Sequence, residues 1–177
     1  VAPYVPAGLR LTEASIGVLG IYQAKTGFGL APYQRALIGV SVEGEPGSDA
    51  GEGMLVVGNI MDEPGAGRLR KLYSRETTVG TARTWRDGGL LHGEAEVDGA
   101  VWMRATVRPV GELRQDMSGV DTFFGVTDDG LIKHADSNLS DMVEAEVVSV
   151  EITDAAPPLF RAFQPTDFVF ALHCEQV

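Results

Sequence analysis

The sequence contains one cysteine and only three lysines among its 177 residues. A single cysteine, Cys174, excludes an internal disulfide framework and favours a reducing compartment, so we predict a cytoplasmic protein. No apolar run approaches the roughly 18 residues that a membrane-spanning helix needs, and no signal peptide is visible in the sequence. We therefore expect neither a membrane protein nor a disulfide-stapled secreted scaffold.

Positive charge is also scarce, because 14 Lys and Arg face 25 Asp and Glu, which gives a formal net charge of -11. Nucleic acids and anionic membranes are bound by clustered cations, so we expect neither as a partner. The sequence has no Gly-x-Ser-x-Gly nucleophile elbow, and the Gly-Ala-Gly-Arg run at 65–68 lacks the Lys-Ser/Thr of a phosphate-binding loop. These absences argue against serine hydrolysis and P-loop nucleotide chemistry.

Short apolar alternations separated by turn signals make up most of the chain. Examples of the turn signals are Asp87-Gly88-Gly89 and Asp98-Gly99. The predicted strands cover residues 16–24, 35–42, 54–61, 77–85, 90–97, 101–107, 121–126, 131–135, 142–152 and 167–174. Strands at this spacing are typical of an all-β barrel or sandwich, and the length suits a single domain spanning residues 1–177.

One helix is predicted after the third strand. Asp62 is a suitable N-cap, Pro64 falls in the first turn, and the basic residues of the segment 68–73 complement the helix dipole at its end. The polar, Gly-rich segment 44–53 is interpreted as a surface loop or a mobile lid.

The hairpin around Asp98-Gly99 has two candidate registers. A three-residue loop at 97–99 places apolar residues of both strands on one face and polar residues on the other, whereas a two-residue loop mixes them. We therefore favour the three-residue loop. It places His92 near Arg104 and Glu94 near Trp102.

Several short motifs, taken in order, resemble those of the acetoacetate decarboxylase-like superfamily. Residues 5–9 (VPAGL) resemble the family's VP-x-x-L, and residues 27–35 (GFGLAPYQR) resemble its G-x-G-x-Y-x-E. Residues 54–63 lead into Gly67-Arg68 much as the family's MYLDNEPAIAVGRE stretch does, and the segments 91–107 and 142–152 fit its order. The resemblance implies a cone-like, closed antiparallel β-barrel with one or two short helices, and a homo-oligomer is compatible with it.

The same resemblance shows where this sequence departs from the family. Residues 67–76 (GRLRKLYSRE) resemble the family's GRExxxxPKK, in which the first lysine of the closing pair forms a Schiff base with a ketone substrate. Arg75 and Glu76 occupy those two positions here, and Arg35 replaces the glutamate expected after Tyr33. A guanidinium stays protonated and forms imines poorly, so the resemblance implies a barrel that has lost its Schiff-base lysine.

The expected function is an enzyme that acts on a small carbonyl or carboxylate compound in the barrel cavity without a Schiff base. Enolisation, isomerisation, dehydration or cyclisation would suit it, for example in secondary metabolism. Arg75 and Arg35 would stabilise negative charge, and Glu76 would move the proton. The residues expected to bind substrate are Tyr33, Arg68, Tyr73, His92 and Glu94. We expect a small-molecule substrate as the partner, with no metal and no other cofactor.

Two alternatives remain open at this point. The chain could be a non-catalytic protein that binds a small ligand, or a decarboxylase or aldolase that uses Lys71 as its amine. The candidate residues also have ordinary structural explanations, such as a salt-bridged arginine. In the same way, His92-x-Glu94-x-Glu96 has the pattern of a metal or acid-base site and also that of the solvent-facing side of a strand.

Overall fold

The computed structural model describes residues 2–14, 16–24, 32–47, 49–63, 66, 77–111, 114–128, 130–163 and 171–175, and for residues 24, 114–121, 136–142 and 171–175 it describes the backbone alone. Within these ranges the chain forms a 3-10 helix at Ala2–Tyr4, eleven strands and a short helix, α1, at Pro158–Arg161. The strands are β1 (Leu9–Leu11), β2 (Gly17–Ala24), β3 (Tyr33–Gly44), β4 (Glu52–Met61), β5 (Thr77–Val79), β6 (Thr81–Asp87), β7 (Leu90–Val97), β8 (Ala100–Pro109), β9 (Arg114–Thr127), β10 (Gly130–Ile152) and β11 (Ala171–Glu175).

All eleven strands belong to one curled sheet. Its order is β1-β3-β4-β9-β10-β8-β7-β6, with β2 also beside β3, β5 beside β4, and β11 beside β10. The described pairs are antiparallel except β4 with β5 and β4 with β9, which are parallel. The curl brings β6 up to β2 and β3, where the Ala82 N–H donates to Gln34 Oε1 at 3.1 Å and Thr84 Oγ1 donates to Gln23 Oε1 at 3.4 Å. The predicted all-β, barrel-like class is confirmed.

The central strand β3 is buried on both faces. Ala36, Ile38 and Val40 point into the main core, while Tyr33 and Leu37 point to the opposite face, because successive side chains of a strand alternate between faces. The main core comprises the buried residues Leu9, Ala36, Ile38, Val40, Val42, Leu55, Val57, Ile60, Ala82, Ala95, Val97, Met103, Phe124, Ile152, Ala156 and Phe160. The second cluster comprises Tyr33, Leu37, Val56, Met61 and Ala66, with Tyr22 and Phe123 packed against it.

The predicted division of the chain into strands is wrong at two places. The predicted strand 77–85 is divided at Gly80, where an added Cβ would lie 2.5 Å from the Glu96 carbonyl oxygen and 2.7 Å from Ile60 Cγ2. The chain passes between these neighbours and changes its pairing from β4 to β7. In contrast, the predicted strands 131–135 and 142–152 are one strand, β10, because it pairs first with β9 and then with β8 and β11.

The hairpin of β7 and β8 corrects the predicted register. Its turn has two residues, Asp98 and Gly99, with φ of 51° and 78°, and not the predicted three. A bulge then shifts the pairing, so Ala95 lies opposite Met103 and Val101 lies opposite Glu96. Gly93 and Ala95 share a face with Met103 and Ala105, as predicted.

The polar partners in this hairpin change as a result of the bulge. His92 pairs with Thr106 and not with Arg104, and Glu94 pairs with Arg104 and not with Trp102. Trp102 instead packs against Phe160 of the main core, with ring centroids 5.4 Å apart. Trp102 therefore packs against the main core and does not lie on the predicted polar face.

The predicted helix begins where expected, since the Ala66 N–H donates to the Asp62 carbonyl at 2.9 Å. The Asp62 carboxylate also accepts the Gln34 N–H at 2.9 Å and so ties this turn to β3. Pro64 and the basic segment 67–73 lie outside the described residues. No helix in the described part of the chain is long and apolar enough to cross a lipid bilayer.

Candidate functional site

A buried arginine lies on the face of the sheet that carries the second cluster. Arg35 is 3% exposed, and it stands between Tyr33 and Leu37 on that face of β3. Its neighbours in the sheet are Tyr22 on β2 and Met61 on β4. Burial of a charged group is costly unless polar groups form hydrogen bonds with it, so the contacts of this guanidinium decide its role.

Two neighbouring strands orient the Arg35 guanidinium. Its Nε donates to Asn59 Oδ1 on β4 at 2.8 Å, and its Nη1 donates to the Tyr22 hydroxyl on β2 at 3.0 Å. Its Cζ also lies 6.0 Å from the centroid of the Tyr22 ring, at the outer limit of a cation-π contact. The Tyr22 ring in turn meets Tyr33 edge-on, with centroids 6.3 Å apart, so the guanidinium is held on two sides.

Asn59 extends this contact to a fourth strand. It is 0% exposed, and its Nδ2 donates to Thr77 Oγ1 on β5 at 3.1 Å. Asn59 and Thr77 are also direct neighbours in the parallel pairing of β4 and β5. Tyr22, Arg35, Asn59 and Thr77 therefore form one hydrogen-bonded row across β2, β3, β4 and β5, which we call the arginine network. Thr77 directly follows Glu76 in the sequence.

Of the residues predicted to form the site, Tyr33 and Arg35 lie together on this face. Tyr33 is buried and belongs to the second cluster, two residues from Arg35 along β3. The other members of the arginine network, Tyr22, Asn59 and Thr77, were missed by the sequence analysis. One signal for Asn59 exists, because it is the only polar residue in the apolar run 54–61 (MLVVGNIM).

The structure does not bring His92 and Glu94 into the arginine network. The His92 ring stacks on Trp85 with centroids 5.2 Å apart, and its Nδ1 lies 3.0 Å from Thr106 Oγ1. Glu94 forms an ion pair with the exposed Arg83. These contacts join β6, β7 and β8 on the face of β7 opposite Ala95 of the main core. The prediction that both residues bind substrate gains no support from this position.

The remaining predicted site residues, Arg68, Tyr73, Arg75 and Glu76, lie outside the described residues, as does Lys71. Lys133 is described, and its Nζ donates to the Ala50 carbonyl in the connection between β3 and β4 at 2.6 Å. No cluster of three or more His, Cys, Asp or Glu side chains within the described ranges could hold a metal ion.

A second aromatic contact lies further along the same face as the arginine network. Phe123 on β9 packs against the second cluster and stacks on His134 of β10, with centroids 5.6 Å apart and an interplanar angle of 17°. Val56 and Leu37 lie in the same cluster. Among the described residues, this face carries the buried Arg35 with the aromatic and aliphatic side chains of the second cluster beside it.

No protein-family model matches the chain, and no curated protein matches it significantly. Solved structures do match. The acetoacetate decarboxylase from Legionella pneumophila superposes with a TM-score of 0.65 at 14% identity, over 97% of this chain and 73% of that one.

The enduracididine biosynthesis enzyme MppR is also similar. Its complex with pyruvate superposes with a TM-score of 0.61 at 14% identity, over 93% of this chain and 74% of the enzyme. Its complex with the condensation product of pyruvate and imidazole 4-carboxaldehyde gives a TM-score of 0.62 at 14% identity, over 94% and 74% of the two chains. The resemblance inferred from the motifs is thus confirmed at the level of structure, and the chain has the fold of the acetoacetate decarboxylase-like superfamily.

Proposed function

We propose that this protein is an enzyme that binds a small carbonyl or carboxylate compound against the Arg35 face of the sheet and acts on it without forming a Schiff base. The observation that carries the proposal is the buried Arg35 guanidinium, held by Asn59 and Tyr22 at the position where the family motif has a glutamate. A rigidly held guanidinium is suited to bind a carboxylate or to stabilise an oxyanion, because its N–H donors are preorganised.

The structural neighbours support the choice of ligand class. One of them, MppR, is known in complex with pyruvate and with a condensation product of pyruvate. A sheet of this shape can therefore hold a small 2-oxo acid, and we extend that class of ligand to this chain as part of the proposal.

The proposed reaction begins with proton transfer from the carbon next to the substrate carbonyl. The C–H bond breaks, its proton passes to the Glu76 carboxylate, and its electron pair moves into the carbonyl group to leave an enolate oxygen. Arg35 and Arg75 would stabilise the negative charge on that oxygen. Isomerisation, dehydration or cyclisation can each follow from such an enolate, so this step is shared by the reactions considered.

We expect the protein to accelerate deuterium exchange at C3 of 2-oxo acids in D2O, because enolisation exposes that carbon to solvent deuterons. The exchange of pyruvate and of 4-methyl-2-oxopentanoate can be followed by the loss of their proton NMR signals. Arg35→Met should lower the protein-dependent rate at least about 100-fold, the scale of losing one oxyanion-stabilising group. Arg108→Met, which removes an exposed arginine paired with Glu146, is the matched control and should leave the rate unchanged.

This experiment also separates the enzyme from the simpler alternative. If a 2-oxo acid binds to the protein but exchanges no faster than in buffer, the chain is a non-catalytic ligand-binding protein. A Tyr22→Phe variant tests the same network with a smaller change, since it removes only the hydroxyl that accepts from Arg35.

We expect no covalent adduct when the protein is incubated with pyruvate or acetoacetate and cyanoborohydride, because the motif resemblance assigns an arginine, Arg75, to the Schiff-base position and a guanidinium forms imines poorly. Intact-mass spectrometry measures the outcome, with a Schiff-base decarboxylase as the positive control. The chain has three lysines, Lys25, Lys71 and Lys133, so any adduct is easily mapped. A reduced adduct at Lys71 would overturn this part of the proposal and establish the decarboxylase or aldolase alternative.

A further inference from the structure

The side-chain amide of Asn59 can face its two partners in one orientation only. Arg35 Nε is always a donor, so the oxygen of the amide must face it, and the contact with Asn59 Oδ1 is 2.8 Å. The nitrogen of the same amide then faces Thr77 and donates to its Oγ1 at 3.1 Å. Because both bonds belong to one planar amide, a rotation that changes one of them also changes the other.

The partner on the far side, Thr77, is the first residue of β5 and is 8% exposed. Among the described residues, β5 pairs with β4 alone, over three residues, and just beyond its end the Gly80 N–H donates to the Met61 carbonyl at 2.8 Å. A strand this short is held by few backbone bonds. The bond from Asn59 therefore adds a side-chain contact at the start of β5, directly next to Glu76 in the sequence.

We infer that Asn59 and Thr77 are positioning residues that tie the start of β5, and with it the adjoining Glu76, to the strand that orients Arg35. The inference rests on the proposed function, in which Glu76 takes the proton and Arg35 stabilises the enolate oxygen. One amide then links the placement of two groups that must act on the same substrate. Neither Asn59 nor Thr77 touches the substrate in this role.

Thr77→Val is expected to slow the deuterium exchange of 2-oxo acids without weakening their binding. Valine has the shape of threonine but accepts no hydrogen bond, so the bond from Asn59 Nδ2 is lost while the bond from Arg35 Nε is kept. We expect kcat to fall at least about tenfold, because a small misplacement of a catalytic group can cost about 100-fold, and KM to stay within about twofold. Proton NMR at graded pyruvate concentrations gives both constants.

Two further variants distinguish the loss of this hydroxyl from a general loss of rigidity. Thr77→Ser keeps the acceptor and should restore kcat to at least about half of the wild-type value. Thr84→Val is the matched control, because the Thr84 hydroxyl also bonds a side-chain amide, at Gln23 Oε1, but lies on β6 outside the arginine network. It should leave both constants unchanged.

Threonine methyl groups report the same coupling in the wild-type protein. With 13C-labelled threonine methyls, we expect the Thr77 signal to shift as pyruvate saturates the site, since a carboxylate at Arg35 alters the bond that Arg35 donates to Asn59. The Thr84 signal should stay in place. The Thr77 signal is identified by its absence from the spectrum of Thr77→Ser, so this measurement does not depend on the folding of Thr77→Val.

The outcomes separate the inference from the proposed function. A wild-type kcat in Thr77→Val, or an equal loss in Thr77→Ser or Thr84→Val, overturns the inference, while the proposed function stands on the loss of exchange in Arg35→Met. If Thr77→Val does not fold, the methyl titration decides, and pyruvate that binds without shifting the Thr77 signal overturns the inference. If the wild-type protein accelerates no exchange, the proposed function fails and the inference fails with it.

Discussion

Replacing Asn59 with leucine is expected to lower the free energy of unfolding by about 3 kcal/mol, because a buried charged donor loses its acceptor. Leucine has the branched shape and the number of side-chain heavy atoms of asparagine, so the change leaves no cavity and removes the polar contacts. Both Arg35 Nε and Thr77 Oγ1 would lose a partner inside the sheet. Urea denaturation measures the loss as a lower midpoint concentration, with the dependence of the unfolding free energy on urea unchanged.

A double-mutant cycle shows whether this loss comes from the arginine. We expect Arg35→Met combined with Asn59→Leu to be less destabilised than the sum of the two single changes, by about 1–3 kcal/mol, because each single change already removes the bond between Arg35 Nε and Asn59 Oδ1. Thr77→Val tests the far end of the network and should cost less, since no charged group loses its acceptor. If Asn59→Leu unfolds at the wild-type midpoint, the arginine network does not contribute to stability.

Replacing Phe160 with alanine is expected to destabilise the protein by about 3–5 kcal/mol, the range for truncating a buried aromatic residue. Phe160 is 2% exposed, packs edge-on against Trp102, and lies over Gly58, where an added Cβ would come within 2.8 Å of its ring. Alanine would leave a cavity between the helix α1 and β4. The change in denaturation midpoint gives the magnitude.

The control for Phe160 is an aromatic residue that the fold leaves on the surface. Tyr4 in the 3-10 helix is 43% exposed, and Tyr4→Ala should change stability by less than about 0.5 kcal/mol, as is usual for surface substitutions. Gly58→Ala probes the same packing from the opposite side, because its methyl group would collide with the Phe160 ring. Equal effects of Phe160→Ala and Tyr4→Ala would contradict the assignment of Phe160 to the core.

The strand content of this protein could be predicted because each strand carries its own pattern. The predicted strands 54–61 and 90–97 are found as Glu52–Met61 and Leu90–Val97. The first is a nearly continuous apolar run, and a glycine, Gly53 or Gly89, directly precedes each predicted strand. Helix α1 has four residues, too few for helical periodicity to appear in the sequence. The length of β10 also could not be predicted, because it depends on three different neighbouring strands.

The hairpin of β7 and β8 shows why faces are easier to predict than registers. Hydrophobic alternation indicates correctly that Gly93 and Ala95 share a face with Met103 and Ala105, because that face must be buried. A three-residue loop and a two-residue turn followed by a bulge both satisfy this requirement. The two differ in where they place Trp102, and in the structure Trp102 packs against Phe160, which is 58 positions away in the sequence.

The candidate site could be predicted only in part, because some of its residues lie in a local motif and others are brought together by strand pairing. Arg35 and Tyr33 could be selected because they lie in a motif that resembles a known family, and the structure finds them side by side on one face of β3. Asn59 and Thr77 carry no such motif. Their role arises from the parallel pairing of β4 with β5, which joins positions 18 residues apart and leaves no local pattern.

The assignment of Arg75 to the family's Schiff-base position stays a prediction. The sequence by itself determined the all-β class and the apolar face of the β7–β8 hairpin that carries Gly93, Ala95, Met103 and Ala105. These properties are local, since alternation and side-chain chemistry act within a few residues. Only the tertiary structure decided that Arg35 is buried and which groups hold it, because its partners come from β2 and β4. Hydrogen bonds across strands depend on register and curl, and those are set by packing of the whole sheet.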